Sequence, residues 1–154
     1  MCLSNPPADR EFYYRSTQMG ALLPVMREHN GFWACNKNFL FDTDPASVAH
    51  WKKYAVLHTR LFPYIYTLAH EARDKGWPVV RHMVLHHPHE GIPEDRQNDQ
   101  WLLGDRILVA PVIAKGAVQR RVYLPAGTWI HWWTQQPFEG GREITVAAPL
   151  EDHP

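Results

Sequence analysis

His82, His86, His87, His89 and Glu90 crowd into nine consecutive residues, and imidazoles are common zinc ligands. Their spacing is not the His-Glu-x-x-His of a metalloprotease helix, and a strand running into a loop throws neighbouring side chains to opposite sides. The cluster therefore reads as a solvated loop, and no metal site is assigned. Asp42 and Asp44 are the closest pair of carboxylates along the chain. Retaining glycoside hydrolysis needs two carboxyls about 5 to 5.5 Å apart, a distance that two residues could meet. Asp44, however, directly precedes Pro45, where it serves as a helix cap. Asp9, Asp74, Asp95, Asp99 and Asp105 fall at turns or element ends, so no nucleophile is assigned within the chain. Ser4, Ser16 and Ser47 lack the Gly-x-Ser-x-Gly elbow of a serine hydrolase, and no glycine-rich phosphate loop is present.

The elements that would position these groups follow from apolar spacing. A short helix is expected over residues 11–22, ended by Pro24. Residues 23–26 then form a brief strand that delivers Arg27, Glu28, His29 and Asn30 to a loop, a place where ligands are often held. The aromatic stretch 32–41 reads as a loop packed near that polar group. A long helical pattern opens at Asp44-Pro45, with a stripe of Val48, Trp51, Ala55, His58, Phe62, Ile65, Ala69 and Ala72. Pro63 predicts two helices or one sharply kinked helix, and Gly76 with Pro78 predicts the end. Residues 79–85 read as a buried strand, and a helix between two such strands implies a parallel β/α unit. A polar loop over 86–98 and a helical turn over 99–104 follow. Short strands over 107–113, 118–124, 128–133 and 144–148, separated by turn residues, then spell an antiparallel sheet. The expected division is 1–105 and 106–154.

Composition narrows the class. The 154 residues carry 16 Lys plus Arg against 16 Asp plus Glu, so no net field draws in nucleic acid or an anionic membrane. With 45 % hydrophobic residues, a folded core is affordable by composition. Cys2 and Cys35 form no CxxC pair, which indicates neither a disulfide scaffold nor a thiolate zinc site. No apolar run approaches the roughly 20 residues of a membrane span, and residues 1–10 lack signal-peptide regions. The expected location is cytoplasmic. Seven tryptophans fit either core or a carbohydrate-lined surface.

The order of segments resembles glycoside hydrolase family 31. Residues 15–21 (RSTQMGA) and 24–30 (PVMREHN) are similar to its R-W-x-Q-x-G-A and P-x-x-R-x-H stretches. Residues 54–68 (YAVLHTRLFPYIYTL) resemble its L-R-x-x-L-L-P-Y-L-Y-T-L helix pair, and 76–81 (GWPVVR) its G-x-P-V-x-R-P. Residues 99–112 (DQWLLGDRILVAPV), 122–129 (VYLPAGTW), Trp133-Thr134, Gly140-Gly141 and Ala148-Pro149 complete the series. Ser16 and His82 stand where the family pattern has Trp and Pro.

The resemblance implies an α/β fold: the last strands and helices of a (β/α)8 TIM barrel, followed by an antiparallel β-sandwich portion. It implies a retaining α-glycosidase of the α-glucosidase, α-xylosidase and sulfoquinovosidase group, acting on an α-glycoside carbohydrate without metal or cofactor. Residues 27–31 (REHNG) share the R-x-H-x-G wording of the sulfoquinovosidase branch. His29 matches the histidine that bonds sugar hydroxyls, as an imidazole able to donate and accept would. Arg27 and Trp33 join it as candidate substrate-binding residues, Arg27 bracing the loop by ion pairing and Trp33 packing beneath it. In the family both catalytic aspartates precede the R-W-x-Q block, so they are expected N-terminal to this chain. A complete barrel takes roughly 200 residues or more, so the expectation is a fragment, inactive alone, whose partner would be the remaining barrel. The alternative is a non-catalytic carbohydrate-binding or interaction module derived from that family.

Overall fold

A computed structural model describes residues 9–28 and 39–151. Two helices come first. Helix α1 (Arg10–Gly20) is capped by Asp9, whose carboxylate accepts from the Phe12 backbone N–H at 2.9 Å. Helix α2 (Pro45–Lys75) begins as its sequence predicts: Asp44 accepts from the Ser47 N–H at 2.8 Å, Pro45 stands in the first turn, and Gly76 closes it at φ 75°.

Two expectations for the first half are corrected, and of the two alternatives at Pro63 the structure takes the single helix. Helix α2 continues through Pro63 as one 31-residue helix, not two. The turns on either side are held by packing that opposes the cost of the lost N–H bond, with Leu61 and Leu68 buried and the Tyr64 hydroxyl donating to the Leu103 carbonyl at 2.9 Å. The buried stripe is also displaced by one residue. It runs through Ser47, His50, Tyr54, Leu61 and Leu68, whereas Val48 and Phe62 are exposed. Ser47, His50 and Tyr54 tolerate burial because each finds a polar partner: Asp44 Oδ1, the Tyr14 carbonyl and the Glu151 carbonyl. Residues 24–28 form no strand.

The second half is antiparallel throughout its described pairings. Strands β1 (Val80–His82), β2 (Trp101–Leu103) and β3 (Ile107–Val109) form one sheet in that order, with Arg81 opposite Leu102 and Leu102 opposite Leu108. The predicted parallel unit around 79–85 is therefore absent among the described residues. Strand β1 stops at His82, whose Nδ1 accepts from the Val84 N–H at 3.3 Å and starts the one-turn helix α3 (Met83–His86). Helix α4 (Glu94–Asp99) occupies part of the predicted polar loop, and the segment read as a helical turn is β2, because Trp101 to Leu103 pair on both sides. Residue 105 lies in the turn between β2 and β3.

Strand β4 (Gln119–Leu124) pairs with β7 (Arg142–Ala147), and β5 (Thr128–Ile130) pairs with β6 (Pro137–Glu139). The core sits on both faces of the first sheet. Leu103 and Val109 meet Leu68 of α2, while Leu102 meets Met83, Ile92 and Tyr123, as the two-residue alternation of a strand requires. Gln100 fastens the sheets together: its amide donates to the Tyr123 carbonyl at 2.8 Å and accepts from the Tyr123 N–H at 2.9 Å. Helix α2 also presents Phe62 and Tyr66, 62 % and 55 % exposed and stacked on each other at 5.7 Å, so part of its apolar surface faces solvent as the partial barrel implies.

Candidate functional site

The segment carrying the sequence-predicted site leaves α1 and returns to α2, and an aromatic seam between these helices fixes both of its described ends. The Tyr13 ring lies 5.7 Å from Phe39 and 6.4 Å from Trp51, and Phe41 lies 6.1 Å from Trp51. Tyr14 stacks on His50 at 3.7 Å. Two histidines of α2 lock α1 through its backbone: His50 Nε2 meets the Tyr14 carbonyl at 3.2 Å, and His58 Nδ1 meets the Ala21 carbonyl at 3.0 Å. Burial lowers the His50 pKa below its ordinary 6.5.

At the outgoing end, the Tyr13 hydroxyl donates to Glu28 Oε2 at 3.1 Å. Burial first, and then the Glu28 charge, raise the Tyr13 hydroxyl above the ordinary tyrosine range. Glu28 Oε1 is buried with no hydrogen-bond partner among the described residues. Glu28 is thus held on one oxygen by Tyr13 and buried at the other. Sequence reading placed Glu28 in the polar group leading into the loop without giving it a role, and gave Tyr13 none. The available signal was position, since Glu28 stands between Arg27 and His29, two of the candidate substrate-binding residues.

Of the predicted site residues, Arg27 is described and exposed, next to Glu28. His29 and Trp33 lie outside the described residues, as do Cys2 and Cys35. Asp44 is occupied as the α2 cap and pairs with Arg10.

The histidine-rich segment is held by internal partners. His86 Nε2 meets Arg81 Nη1 at 2.7 Å, and His86 stacks on Trp77 at 5.1 Å. His87 Nδ1 meets Glu90 Oε1 at 2.7 Å, while Glu90 Oε2 accepts from the Ala126 N–H at 2.8 Å. Among the described residues no group of three His, Cys, Asp or Glu could hold a metal ion, and no helix is long and apolar enough to cross a membrane. An open groove of about 340 Å³ lies between β3 and β7; Trp129, Phe138 and the inward side chains of β4 and β7 line it, and it contains neither Tyr13 nor Glu28.

Comparison with known proteins defines the class. The family model described as "Glycosyl hydrolases family 31 TIM-barrel domain" matches residues 4–68, and "Glycosyl hydrolase family 31 C-terminal domain" matches residues 76–154. A sulfoquinovosidase from Agrobacterium fabrum is 40 % identical over 141 residues, covering 91 % of this chain and 21 % of the relative. Alpha-glucosidase 2 from Bacillus thermoamyloliquefaciens is 32 % identical over 147 residues, covering 94 % and 18 %. A solved family 31 sulfoquinovosidase from E. rectale, in complex with the aza-sugar inhibitor IFGSQ, superposes with a TM-score of 0.91 at 32 % identity, covering 100 % of this chain and 23 % of that one.

The chain belongs to glycoside hydrolase family 31 and carries part of the family's TIM barrel followed by its C-terminal β domain. It spans about a fifth of the length of these relatives.

Proposed function

We propose that this chain supplies one wall of the sugar site of a retaining α-glycosidase and does not break the glycosidic bond by itself. The observation that carries the reading is the Tyr13–Glu28 hydrogen bond at 3.1 Å, which fixes the chain immediately ahead of His29 against α1. His29 bonds hydroxyls of the bound sugar and Arg27 braces the segment. The substrate is an α-linked carbohydrate. The similarity to sulfoquinovosidases, one of them in complex with an aza-sugar inhibitor, supports that class.

The chemistry itself needs two carboxylates flanking the scissile bond, one as nucleophile and one as acid and base. Residues 4–68 match the barrel model, far short of the roughly 200 residues that a closed barrel takes. Among the described residues no strand precedes β1. The 154 residues are therefore expected to leave chromogenic α-glucoside, α-xyloside and α-sulfoquinovoside uncleaved. Turnover by the purified chain that persists through successive columns would overturn this reading.

A further inference from the structure

The polar stripe of α1 is partly covered by the β portion. Glu11, Arg15 and Gln18 recur at the i, i+4, i+7 spacing of one helix face, and the chain of the β portion lies along them. Glu11 accepts from the Gly116 N–H at 2.7 Å, and Asp9 beneath it pairs with Lys115. Arg15 donates to the carbonyls of Ala117, Ala148 and Pro149 at 3.3, 2.7 and 2.9 Å. Gln18, 1 % exposed, donates to the Leu150 carbonyl at 2.7 Å. From α2, the Tyr54 hydroxyl and Lys53 Nζ reach the Glu151 carbonyl at 3.2 and 3.1 Å. The last sheet bond of this run is Ala148 N–H to the Val118 carbonyl at 2.9 Å. Beyond it, residues 148–151 cross the two helices as a strap held through main-chain carbonyls.

Tyr13 stands on the opposite side of α1 by the helical period, and it carries Glu28. One short helix thus joins the strap on one side to the predicted sugar-contact segment on the other. We propose that Arg15 and Gln18 are positioning residues: by clamping residues 117 and 148–151 they set the orientation of α1 and, through Tyr13, the placement of Glu28. A fork of guanidinium donors suits this task because it holds several carbonyls in one plane, which a lysine cannot do. The functional meaning rests on the sugar-site reading, but the coupling can be read without any sugar, so the two can fail separately.

The test is carbon-13 NMR of the full chain with labelled tyrosine rings, the six signals being assigned by Tyr→Phe variants. Arg15→Lys keeps the charge and loses the fork. Gln18→Ala removes a single strap bond and no charge, so it serves where Arg15→Lys does not fold. The expected result is a displaced Tyr13 signal, while Tyr123, packed with Leu102 and Met83, keeps its native signal. A Tyr13 signal unchanged in both variants would overturn the proposal. So would joint loss of the Tyr13 and Tyr123 signals, because the strap would then support the whole fold and not α1 in particular.

Discussion

The Tyr13 hydroxyl donates to Glu28 Oε2 at 3.1 Å while its ring packs 5.7 Å from Phe39, so one side chain holds the chain on both sides of residues 29–38. Tyr13→Phe deletes the bond and keeps the ring. A net hydrogen bond to a charged group is worth roughly 1.5 to 3 kcal/mol, and Glu28 can recover part of this by turning to water. The expected loss is about 1 kcal/mol in urea unfolding, with the Tyr13-to-Phe39 contact retained. An unchanged unfolding midpoint would mean that the bond holds nothing in place.

Gly104 is the point at which α2 meets the first sheet. It has φ +67°, and a Cβ there would come within 2.3 Å of Tyr64 Oη and 2.6 Å of Leu68 Cδ2. Gly104→Ala combines left-handed backbone strain of about 1 kcal/mol with overpacking of about 1 to 3 kcal/mol. A total loss of about 2 to 4 kcal/mol is expected from chemical denaturation. Gly116, also at positive φ but with open space around it, is expected to lose only the backbone part on substitution by Ala.

These sites also show what the sequence revealed. The two α2 caps were legible because Asp-Pro and Gly each have a local cause, a side-chain acceptor and a left-handed residue. The displacement of the α2 stripe was not, because Ser47, His50 and Tyr54 are buried by partners on α1, at residue 44 and at residue 151, which no periodicity predicts. Strand β2 was read as a helical turn for a similar reason: three residues become extended only because β1 and β3 flank them. In the candidate site Arg27 and His29 were singled out from motif wording. Tyr13 and the Arg15–Gln18 clamp come from packing across more than 100 residues of chain in the case of the strap.

Acid should loosen the α1–α2 seam. Burial holds the folded pKa of His50 below 6.5, with Lys53 and Arg15 also lowering it and the Tyr14 carbonyl and Glu151 opposing them. The unfolded chain therefore takes up the proton more readily, and stability falls as pH drops through and below 6.5 while remaining unaffected above it. His86, lowered by burial and then by Arg81, acts in the same direction. The urea midpoint is expected to fall between pH 7.5 and 5.5, and His50→Gln is expected to shrink that fall. An equal fall in the variant would assign the acid sensitivity to other groups.

The central claim, that this chain forms a sugar-holding wall around His29, is tested most directly by kcat/KM in a chimera. Residues 9–151 replace the matching stretch of the Agrobacterium fabrum sulfoquinovosidase, which is 40 % identical to this chain over 141 residues. The account predicts that the chimera cleaves a chromogenic α-sulfoquinovoside and that His29→Ala lowers its kcat/KM by about ten- to a hundredfold, the effect of one lost hydroxyl contact. An active chimera indifferent to His29→Ala would contradict it.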